Sequence, residues 1–464
     1  MAGFLVVIWG IFAFTALLMR WNAMKYRQKG LPPGTMGLPV IGETLEFLKQ
    51  GPNFMRRQRA RYGNFFKTHI LGSPTIISLD PEVNRYILLN EGKGFLPGYP
   101  QSLLDMLGKY NIASAHGPDH RFVRGTLISL IGPTIIKDQL LLKCDEFMHS
   151  YLSNWDGKTI DIQDRTKDMI LMLMLKMIAN VESGPIPEAF KPEFLTLIDG
   201  TISLPLNIPG THYYNGLKAR ENIISIIRKM IKERRACPSS QPDMLDSLLQ
   251  IEDSNHKKIS DENIIDQVIT IIHSGYETVS TTTMMIIKYL HDHPKALQDL
   301  REEHLAIREQ KQSSTDPINW EEYKTMRFTR AVIFETLRLA AVTNGGMRKT
   351  TSDMELNGYV VPKGWRIYLY TKELYHDPIL YPEPLSFNPW RWTKDTNLEG
   401  HKYFMLFGRG GRLCAGKELA LVVISIFLHY FVTKFRWEEI GECKLVEFPR
   451  VEAPNGLFIR VSNY

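Results

Sequence analysis

The chain has few cysteines and no cysteine pair. Its 464 residues include only Cys144, Cys237, Cys414 and Cys443, which lie far apart and form no CxxC motif. A disulfide framework and a structural zinc site both depend on paired or clustered cysteines, so this spacing argues against both. We expect reduced thiols in a cytosol-facing compartment. A chemical role for one cysteine must then be indicated by the residues around it.

The sequence also lacks internal repeats, low-complexity segments and a strong net charge. A formal charge of +6 over this length does not predict a nucleic-acid-binding protein, although it suits an anionic membrane surface or an acidic protein partner. Apolar residues make up 44% of the chain and charged residues 23%. Both values are ordinary for a globular protein with a substantial core, and they argue against a disordered or fibrous chain.

The only long apolar run lies at the N-terminus. Residues 1–19 carry no charged side chain and just reach the ~17–20 residues needed to span ~30 Å of hydrocarbon. Four basic residues follow and favour a cytosolic location for the rest of the chain, namely Arg20, Lys25, Arg27 and Lys29. We predict a transmembrane anchor over residues 1–20, a basic, Pro/Gly-rich linker over 21–42 and a single folded domain over 43–464. A cleaved signal peptide is the alternative, although its basic residues would precede the apolar run.

Apolar periodicity predicts a mainly α fold with a minor β portion. Apolar residues spaced three and four apart predict helices over residues 138–155, 216–235, 261–291 and 328–339, and another from Cys414 to Phe431. Hairpins are predicted around Gly72-Ser73-Pro74 and around Asn357-Gly358, where turn residues separate short strand-like runs.

The loop before Cys414 is rich in glycine, since residues 407–416 read FGRGGRLCAG. Glycine backbone can approach a large flat ligand closely and leaves amide N–H groups free to bind a sulfur anion. A helix that begins at Cys414 and the nearby cation Arg412 would also stabilise a thiolate. We interpret the loop as an environment for a sulfur anion at Cys414; a buried structural cysteine after a Gly-rich turn is the alternative.

This loop resembles the haem-binding signature of the cytochrome P450 family. The signature F-x-x-G-x-R-x-C-x-G is met by Phe407, Gly410, Arg412, Cys414 and Gly416. The resemblance implies a cytochrome P450 fold and haem b (iron protoporphyrin IX), with Cys414 as the axial ligand of the iron and with Phe407 and Gly408 beside the cofactor. A thiolate ligand pushes electron density onto the iron and favours O–O cleavage.

The same resemblance implies the partners of the protein. A haem-thiolate monooxygenase of this family uses O2 and takes electrons from NADPH through NADPH–cytochrome P450 reductase at the endoplasmic reticulum membrane, with its catalytic domain in the cytosol. Cationic side chains near the cysteine loop, such as Lys402, Arg409 and Lys417, are candidates for docking the reductase.

A second motif lies in the predicted helix 261–291. Ser274-Gly275-Tyr276-Glu277-Thr278 resembles the oxygen-activation motif of the family. Gly275 would let the helix open beside the haem, and the Thr278 hydroxyl can reach the Ser274 carbonyl four residues back. The resemblance implies that Glu277 and Thr278 are catalytic residues that relay protons during oxygen activation. The alternative is an ordinary helix whose hydroxyl groups bond to its own backbone.

Three charged residues are predicted to support the haem side of the fold. Glu335 and Arg338 stand three apart on one helical face. Together with Arg391 in FNPWRW, the resemblance implies a buried ion-pair triad that is structural, in which the loss of one member would leave a buried charge without its partner.

The two propionates of a haem need positively charged or hydrogen-bonding partners. The resemblance implies four candidates, namely Arg412, Arg124, Arg348 and His120. His120 stands where the family often has tryptophan, although a histidine can still donate to a carboxylate.

Longer stretches, such as SGYETVSTT and RKTTSDMELNGYVVPKGWRIYLYT, resemble the plant brassinosteroid 6-oxidases. This resemblance implies C-6 oxidation of a 6-deoxo brassinosteroid, of the 6-deoxocastasterone to castasterone type, through an alcohol to a ketone in brassinosteroid biosynthesis. His273 and the loop 340–347 depart from that group where a substrate would lie. Oxidation of another triterpenoid or diterpenoid therefore remains an alternative, as does a haem-binding membrane scaffold without turnover.

Overall fold

The computed structural model describes residues 2–26, 29–38, 41–237, 242–253, 255–313, 316–393 and 398–464. The fold is mainly helical with a minor β portion, which confirms the predicted class. Its helices are α1 (Ala2–Lys25), α2 (Thr44–Tyr62), α3 (Pro81–Leu89), α4 (Gln101–Leu107), α5 (Gly117–Ile131), α6 (Pro133–Ile135), α7 (Leu141–Leu152), α8 (Ile162–Ala179), α9 (Pro185–Thr201), α10 (His212–Ala236), α11 (Met244–Gln250), α12 (Asp261–Asp292), α13 (Pro294–Glu309), α14 (Trp320–Thr325), α15 (Arg327–Ala340), α16 (Lys372–Tyr375) and α17 (Lys417–Lys434).

The strands form three small sheets. They are β1 (Phe65–Ile70), β2 (Ser73–Ser78), β3 (Phe95–Pro97), β4 (Thr159–Asp161), β5 (Gly345–Thr350), β6 (Met354–Leu356), β7 (Tyr359–Val361), β8 (Arg366–Tyr370), β9 (Phe435–Glu439) and β10 (Phe458–Asn463). The first sheet has the order β1-β2-β8-β5-β3, the second β4-β10-β9 and the third β6-β7. In the first sheet only β2 and β8 run parallel. The sheets therefore join segments that are distant in sequence.

Both predicted hairpins are present. β1 and β2 pair antiparallel on either side of Gly72, which has φ 74°. β6 and β7 pair across Asn357 and Gly358, with φ 52° and 76°. The positive φ values explain why Asn and Gly occupy this turn, since other side chains adopt this region with strain.

The long helix α12 runs through the main hydrophobic core. The Ser260 side chain caps its first turn by accepting from the amide of Asn263, and Asp261 and Glu262 lie where the helix dipole favours acids. The helix ends just before Pro294, which restricts the preceding residue to an extended conformation. α12 packs against α8, α15 and α17 and carries the motif around Thr278. It remains continuous through Gly275, so the predicted opening of the helix is not present as a break.

The predicted N-terminal anchor region forms helix α1. Within the described ranges, none of the helices combines the length and the apolar character needed to cross a bilayer. The prediction of a transmembrane segment over residues 1–20 is therefore not supported. One of the four basic residues that follow, Arg27, lies outside the described residues.

Candidate active site

The cysteine loop is a compact turn held by its own backbone. The Cys414 amide donates to the Phe407 carbonyl at 2.9 Å, and a short 3₁₀ helix, Gly410–Arg412, fills the turn between them. Gly408 and Gly410 have φ of 73° and 70°. A Cβ at Gly410 would lie 2.4 Å from the Leu88 carbonyl oxygen, so glycine permits the loop to rest directly on the end of α3.

The helix after the loop begins later than predicted. α17 starts at Lys417, with Gly416 as its N-cap, so Cys414 lies in the turn before the helix and not in its first turn. The backbone of Gly416, with φ −88° and ψ 9°, lies outside the helical region, so regular helical turns begin only at Lys417. The amide of Gly416 donates to the Cys414 sulfur. The sulfur therefore receives the hydrogen bond of a capping residue at the start of the helix.

Cys414 is accessible, but its protein environment alone does not make it a thiolate. Its side chain is exposed. Protein atoms nevertheless surround the accessible sulfur on its other sides, and this loss of solvation raises the pKa of the thiol against the lowering effects of the Gly416 amide, Arg124 and Lys417. The predicted environment for a sulfur anion is thus only partly present. A coordinated thiol loses its proton because of the charge of the metal, so thiolate character belongs to the metal-bound protein.

The ion-pair triad lies in the interior. Glu335 and Arg338 are both 0% exposed and form two hydrogen bonds, of 2.9 and 2.8 Å. Arg391 donates to the same carboxylate at 3.1 Å. Glu335 also accepts from the Asn388 amide and the Trp392 indole. A carboxylate with this many donors is fully compensated in the interior, as a buried charge requires.

Phe407 connects the cysteine loop to the helix that carries the triad. Its ring packs edge-on against Phe334 of α15, with ring centroids 6.0 Å apart. The ammonium group of Lys417 lies 5.4 Å from the centre of the Phe407 ring, which is cation–π distance. The first residue of the signature therefore has a packing role that orients the loop.

Arg412 is nearly buried and holds three segments together. It donates to the Ile112 carbonyl at 2.7 Å, to the Ala115 carbonyl and to the carboxylate of Glu91. These contacts use three of the five N–H donors that a guanidinium carries. Two donors remain for a further acceptor.

The other three predicted propionate partners lie around Arg412 or close to the cysteine. Arg124 donates to the Leu413 carbonyl at 2.7 Å, next to the cysteine. Arg348, on β5, is 3% exposed, and its Nε lies 3.5 Å from a carboxylate oxygen of Glu91. The Nε2 atom of His120 is buried and has no hydrogen-bond partner among the described residues. Burial, followed by Arg412, lowers the pKa of His120, so the ring is neutral at physiological pH.

A stripe of accessible side chains interrupts the buried surface of α12. Ser274 and Thr278 are exposed, whereas Ile271, Ile272 and Val279 on the same stretch are buried. The Thr278 hydroxyl donates to the Ser274 carbonyl at 2.8 Å, as predicted from the spacing. Accessibility in the middle of a core helix indicates an internal space beside these two residues.

Glu277 and His273 lie four residues apart, next to this stripe. Glu277 Oε1 lies 3.4 Å from Nη1 of Arg450, a partner that the sequence did not indicate. Burial nevertheless raises the pKa of Glu277. His273 has a pKa lowered to about 4, first by burial and then by Arg450, and its ring is therefore neutral at pH 7. Burial is the larger influence on both groups, and Arg450, which comes from the C-terminal part of the chain, opposes it at Glu277 and adds to it at His273.

A separate cleft of about 920 Å³ opens between α4, α10 and the first turns of α12. Leu104 and Asp105 line it, and an ion pair between Arg220 and Asp266 crosses its wall. Neither Cys414 nor Thr278 borders it. Its position excludes this cleft as the place where the cysteine and the threonine act.

The residues present fit a thiolate-bound haem. The accessible sulfur accepts an amide hydrogen bond, and the buried His120 Nε2 lacks a partner that a propionate oxygen would supply. Arg412, which has two N–H donors left, acts electrostatically on the same histidine. The exposed stripe on α12 offers hydroxyl and carbonyl groups for small polar molecules.

Sequence comparison identifies the family. The sequence profile described as Cytochrome P450 matches residues 32–457, which is most of the chain. The chain belongs to the cytochrome P450 family. It is therefore a monooxygenase with a haem-thiolate cofactor.

Individual P450 proteins are similar over nearly the whole length. Cytochrome P450 85A1 of Solanum lycopersicum is 60% identical, covering 99% of this chain and 98% of that protein. The 3beta,22alpha-dihydroxysteroid 3-dehydrogenase of Arabidopsis thaliana is 37% identical, covering 96% and 95%. The retinoic acid-bound structure of cyanobacterial CYP120A1 superposes with a TM-score of 0.87 at 28% identity, covering 94% of this chain and 100% of that one.

Proposed function

We propose that this P450 oxidises C-6 of a 6-deoxo brassinosteroid, first to an alcohol and then to a ketone, in brassinosteroid biosynthesis. The similarity to cytochrome P450 85A1 supports the substrate class, and so does the similarity to a protein named for a dihydroxysteroid substrate. The observation that carries the chemistry is the accessible stripe of Ser274 and Thr278 on an otherwise buried helix.

The cofactor is proposed to be haem b, with Cys414 as its axial ligand and with Phe407 and Gly408 beside it. Bound there, it would supply reductive activation of O2 and insertion of one oxygen atom into a C–H bond. The propionates would meet Arg124, Arg348, Arg412 and His120.

Glu277 and Thr278 are proposed to handle protons. The hydroxyl of Thr278 is fixed by the Ser274 carbonyl, so its oxygen is positioned to accept and pass on a hydrogen bond at the exposed face. The pKa of Glu277 is raised by burial and so lies closer to neutral pH than that of an ordinary carboxyl group, which suits a group that must gain and lose a proton. Arg450 limits that rise by stabilising the ionised form.

Electrons are proposed to come from NADPH–cytochrome P450 reductase. Of the three candidate docking cations, Lys402 pairs with Glu82 and Lys417 pairs with Glu399. Arg409 donates to backbone carbonyls of its own region. Each acidic partner lowers the net positive charge of this surface. We therefore expect reductase docking to weaken less with rising ionic strength than it would if all three cations were unpaired.

The test is to express the protein with a reductase and supply a panel of 6-deoxo steroids. The expected products from a 6-deoxo brassinosteroid are the 6-alcohol followed by the 6-ketone, identified by mass spectrometry. Oxidation of a triterpenoid or diterpenoid, with no product from any 6-deoxo steroid, would instead favour the alternative substrate class. The scaffold alternative no longer applies, because the family membership makes the protein a monooxygenase.

Location at the endoplasmic reticulum membrane is also proposed, with the catalytic domain in the cytosol. The support lies in α1, where Trp9, Phe14, Leu17 and Trp21 are exposed apolar side chains. Alkaline carbonate extraction of microsomes compares the full chain with a variant lacking residues 2–20. Retention of the full chain alone in the pellet supports an anchor, and equal release of both argues against it.

A further inference from the structure

Glu91 is an acid placed among the arginines that are proposed to meet the haem propionates. Its carboxylate accepts from Nε of Arg412 and lies 3.5 Å from Nε of Arg348. All three side chains are largely buried, with exposed fractions of 15%, 9% and 3% for Glu91, Arg412 and Arg348. Solvent therefore screens these charges weakly, and the carboxylate acts strongly on both guanidinium groups.

Two features of the fold bring Glu91 to this position. Helix α3 ends at Leu89, and a turn with Gly92 and Gly94 at positive φ leads from Glu91 into β3. Strand β3 pairs with β5 so that Pro97 lies opposite Arg348, which places that arginine near the turn. The cysteine loop rests on the end of α3 at Gly410, two residues before Arg412, and this contact supplies the second guanidinium.

The charges of this cluster amount to two net positive charges. Arg124, Arg348 and Arg412 contribute three and Glu91 removes one, and the neutral form of His120 adds no charge. Two propionates carry two negative charges. The net charge of the cluster therefore equals and opposes that of the two propionates only if the charge of Glu91 is included.

We propose that Glu91 is a positioning residue for the haem, which holds Arg348 and Arg412 in place and sets the net charge at the propionate edge to match the two carboxylates. This inference rests on the proposed haem site at Cys414. Glu91 acts through the two arginines and is not itself a ligand of the cofactor.

The proposal has a consequence for the iron. One-electron reduction from ferric to ferrous adds one negative charge to the site, and the electron comes from the reductase in catalysis or from dithionite in a titration. A buried anion nearby opposes that added charge, because the local environment sets the reduction potential of a haem. Removal of the Glu91 charge is therefore expected to make the midpoint potential more positive.

The experiment measures the midpoint potential of the holoenzyme in three single variants. Glu91→Gln keeps the shape of the side chain and removes its charge, and we expect a positive shift. Glu91→Asp keeps the charge, and we expect a much smaller shift. Glu82→Gln is the matched control, because Glu82 is an exposed acid on α3 whose charge is paired with Lys402 at the surface and screened by solvent.

A charge-compensated double variant separates electrostatics from packing. Glu91→Gln combined with Arg348→Gln restores two net positive charges, so the potential is expected to return toward the wild-type value. A purely structural role predicts that the second substitution adds to the damage of the first. If Glu91→Gln alone fails to retain haem, recovery of haem in the double variant supports the proposal, and loss in both overturns it.

The reduced carbon monoxide-bound spectrum distinguishes failure of the proposed haem site from failure of the proposed role of Glu91. A wild-type protein without the red-shifted Soret band of a thiolate-ligated haem would overturn the proposed haem site itself. A normal Soret band together with an unchanged potential in Glu91→Gln would overturn only the role of Glu91.

Discussion

Glu335 and Thr278 lie on helices that pack against each other, α15 and α12, yet their surroundings differ sharply. The carboxylate of Glu335 is 0% exposed and receives hydrogen bonds from Arg338, Arg391, Asn388 and Trp392. The Thr278 hydroxyl is exposed and makes its hydrogen bond to the backbone of its own helix. The first region is fully satisfied by the protein, whereas the second leaves polar atoms accessible to ligands.

This difference separates scaffolding from chemistry. A buried network in which every donor has an acceptor resists rearrangement, because breaking one contact strands a charge. An accessible hydroxyl beside an internal space can exchange partners during a reaction at low cost. Mutations in the first region should therefore lower the free energy of unfolding. Mutations in the second should instead lower the amount of product formed per NADPH consumed.

The largest expected effect comes from Cys414→Ser, which removes the proposed ligand of the haem iron. A serine hydroxyl does not provide a thiolate, so we expect loss of the red-shifted Soret band in the carbon monoxide spectrum and loss of turnover. The control Cys237→Ser changes an exposed cysteine that caps α10, and it should leave the band unchanged. A red-shifted band that persisted in Cys414→Ser would assign the ligand to another residue.

Loss of the buried charge of Glu335 should have the next largest effect. Glu335→Gln leaves Arg338 and Arg391 without a counter-charge, and breaking a buried pair in this way typically costs about 3–5 kcal/mol. Urea unfolding of the holoprotein measures the loss. The matched control is Glu399→Gln, whose partly exposed pairs with Arg330 and Lys417 should each contribute less than about 1 kcal/mol. Similar losses in both variants would contradict the contrast between the regions.

Thr278→Ala should change the reaction and leave the fold intact. The exposed hydroxyl contributes little to packing, so haem content is expected to stay at the wild-type level. Product formed per NADPH consumed should fall about tenfold or more, because a positioned proton transfer is commonly worth about a hundredfold. The control is Thr282→Ala, which removes a buried hydroxyl bonded to the Thr278 carbonyl one turn away. Full coupling in Thr278→Ala would remove this residue from the proton relay.

The smallest expected effect is a pH dependence of the free energy of unfolding, caused by two histidines in the buried interior. His304 and His429 are buried with their Nδ1 atoms 3.3 Å apart, and burial lowers the pKa of His304 well below its usual value and that of His429 to about 3. The unfolded chain therefore binds protons first as the pH falls below about 6.5, so stability is full above that pH and declines on acidification.

Each such histidine contributes a slope of about 1.4 kcal/mol per pH unit between its two pKa values. His429→Gln should flatten the decline measured by urea unfolding between pH 6 and pH 5. His116→Gln replaces an exposed histidine and serves as the control. An unchanged slope in His429→Gln would mean that other groups cause the acid sensitivity.

Local patterns predicted the elements well where both partners of a contact are close in sequence. The turn at Asn357-Gly358 produced its hairpin, and the four-residue spacing of Ser274 and Thr278 produced their hydrogen bond. The start of the last helix was predicted three residues too early. Apolar spacing does not record the non-helical backbone of Gly416, after which the helix begins.

The candidate site was predicted in part. Candidate site residues that belong to a motif could be predicted, because the motif reflects what the local backbone needs. Glycine at position 410, for example, is needed for a positive φ. Arg450 beside Glu277 and Glu91 beside Arg412 were missed. Each is an ordinary charged residue in its own segment, and no local pattern indicates which buried partner it meets.

The sequence by itself determined the cysteine loop, the helix that carries Thr278 and the membership of one family. These features depend on contacts within a few residues. Only the tertiary structure decided which charges share the interior, since Arg412 meets Glu91 across 321 positions and Arg450 meets Glu277 across 173. Strand pairing and helix packing bring such residues together, and the low dielectric of the interior then makes their charges act on one another.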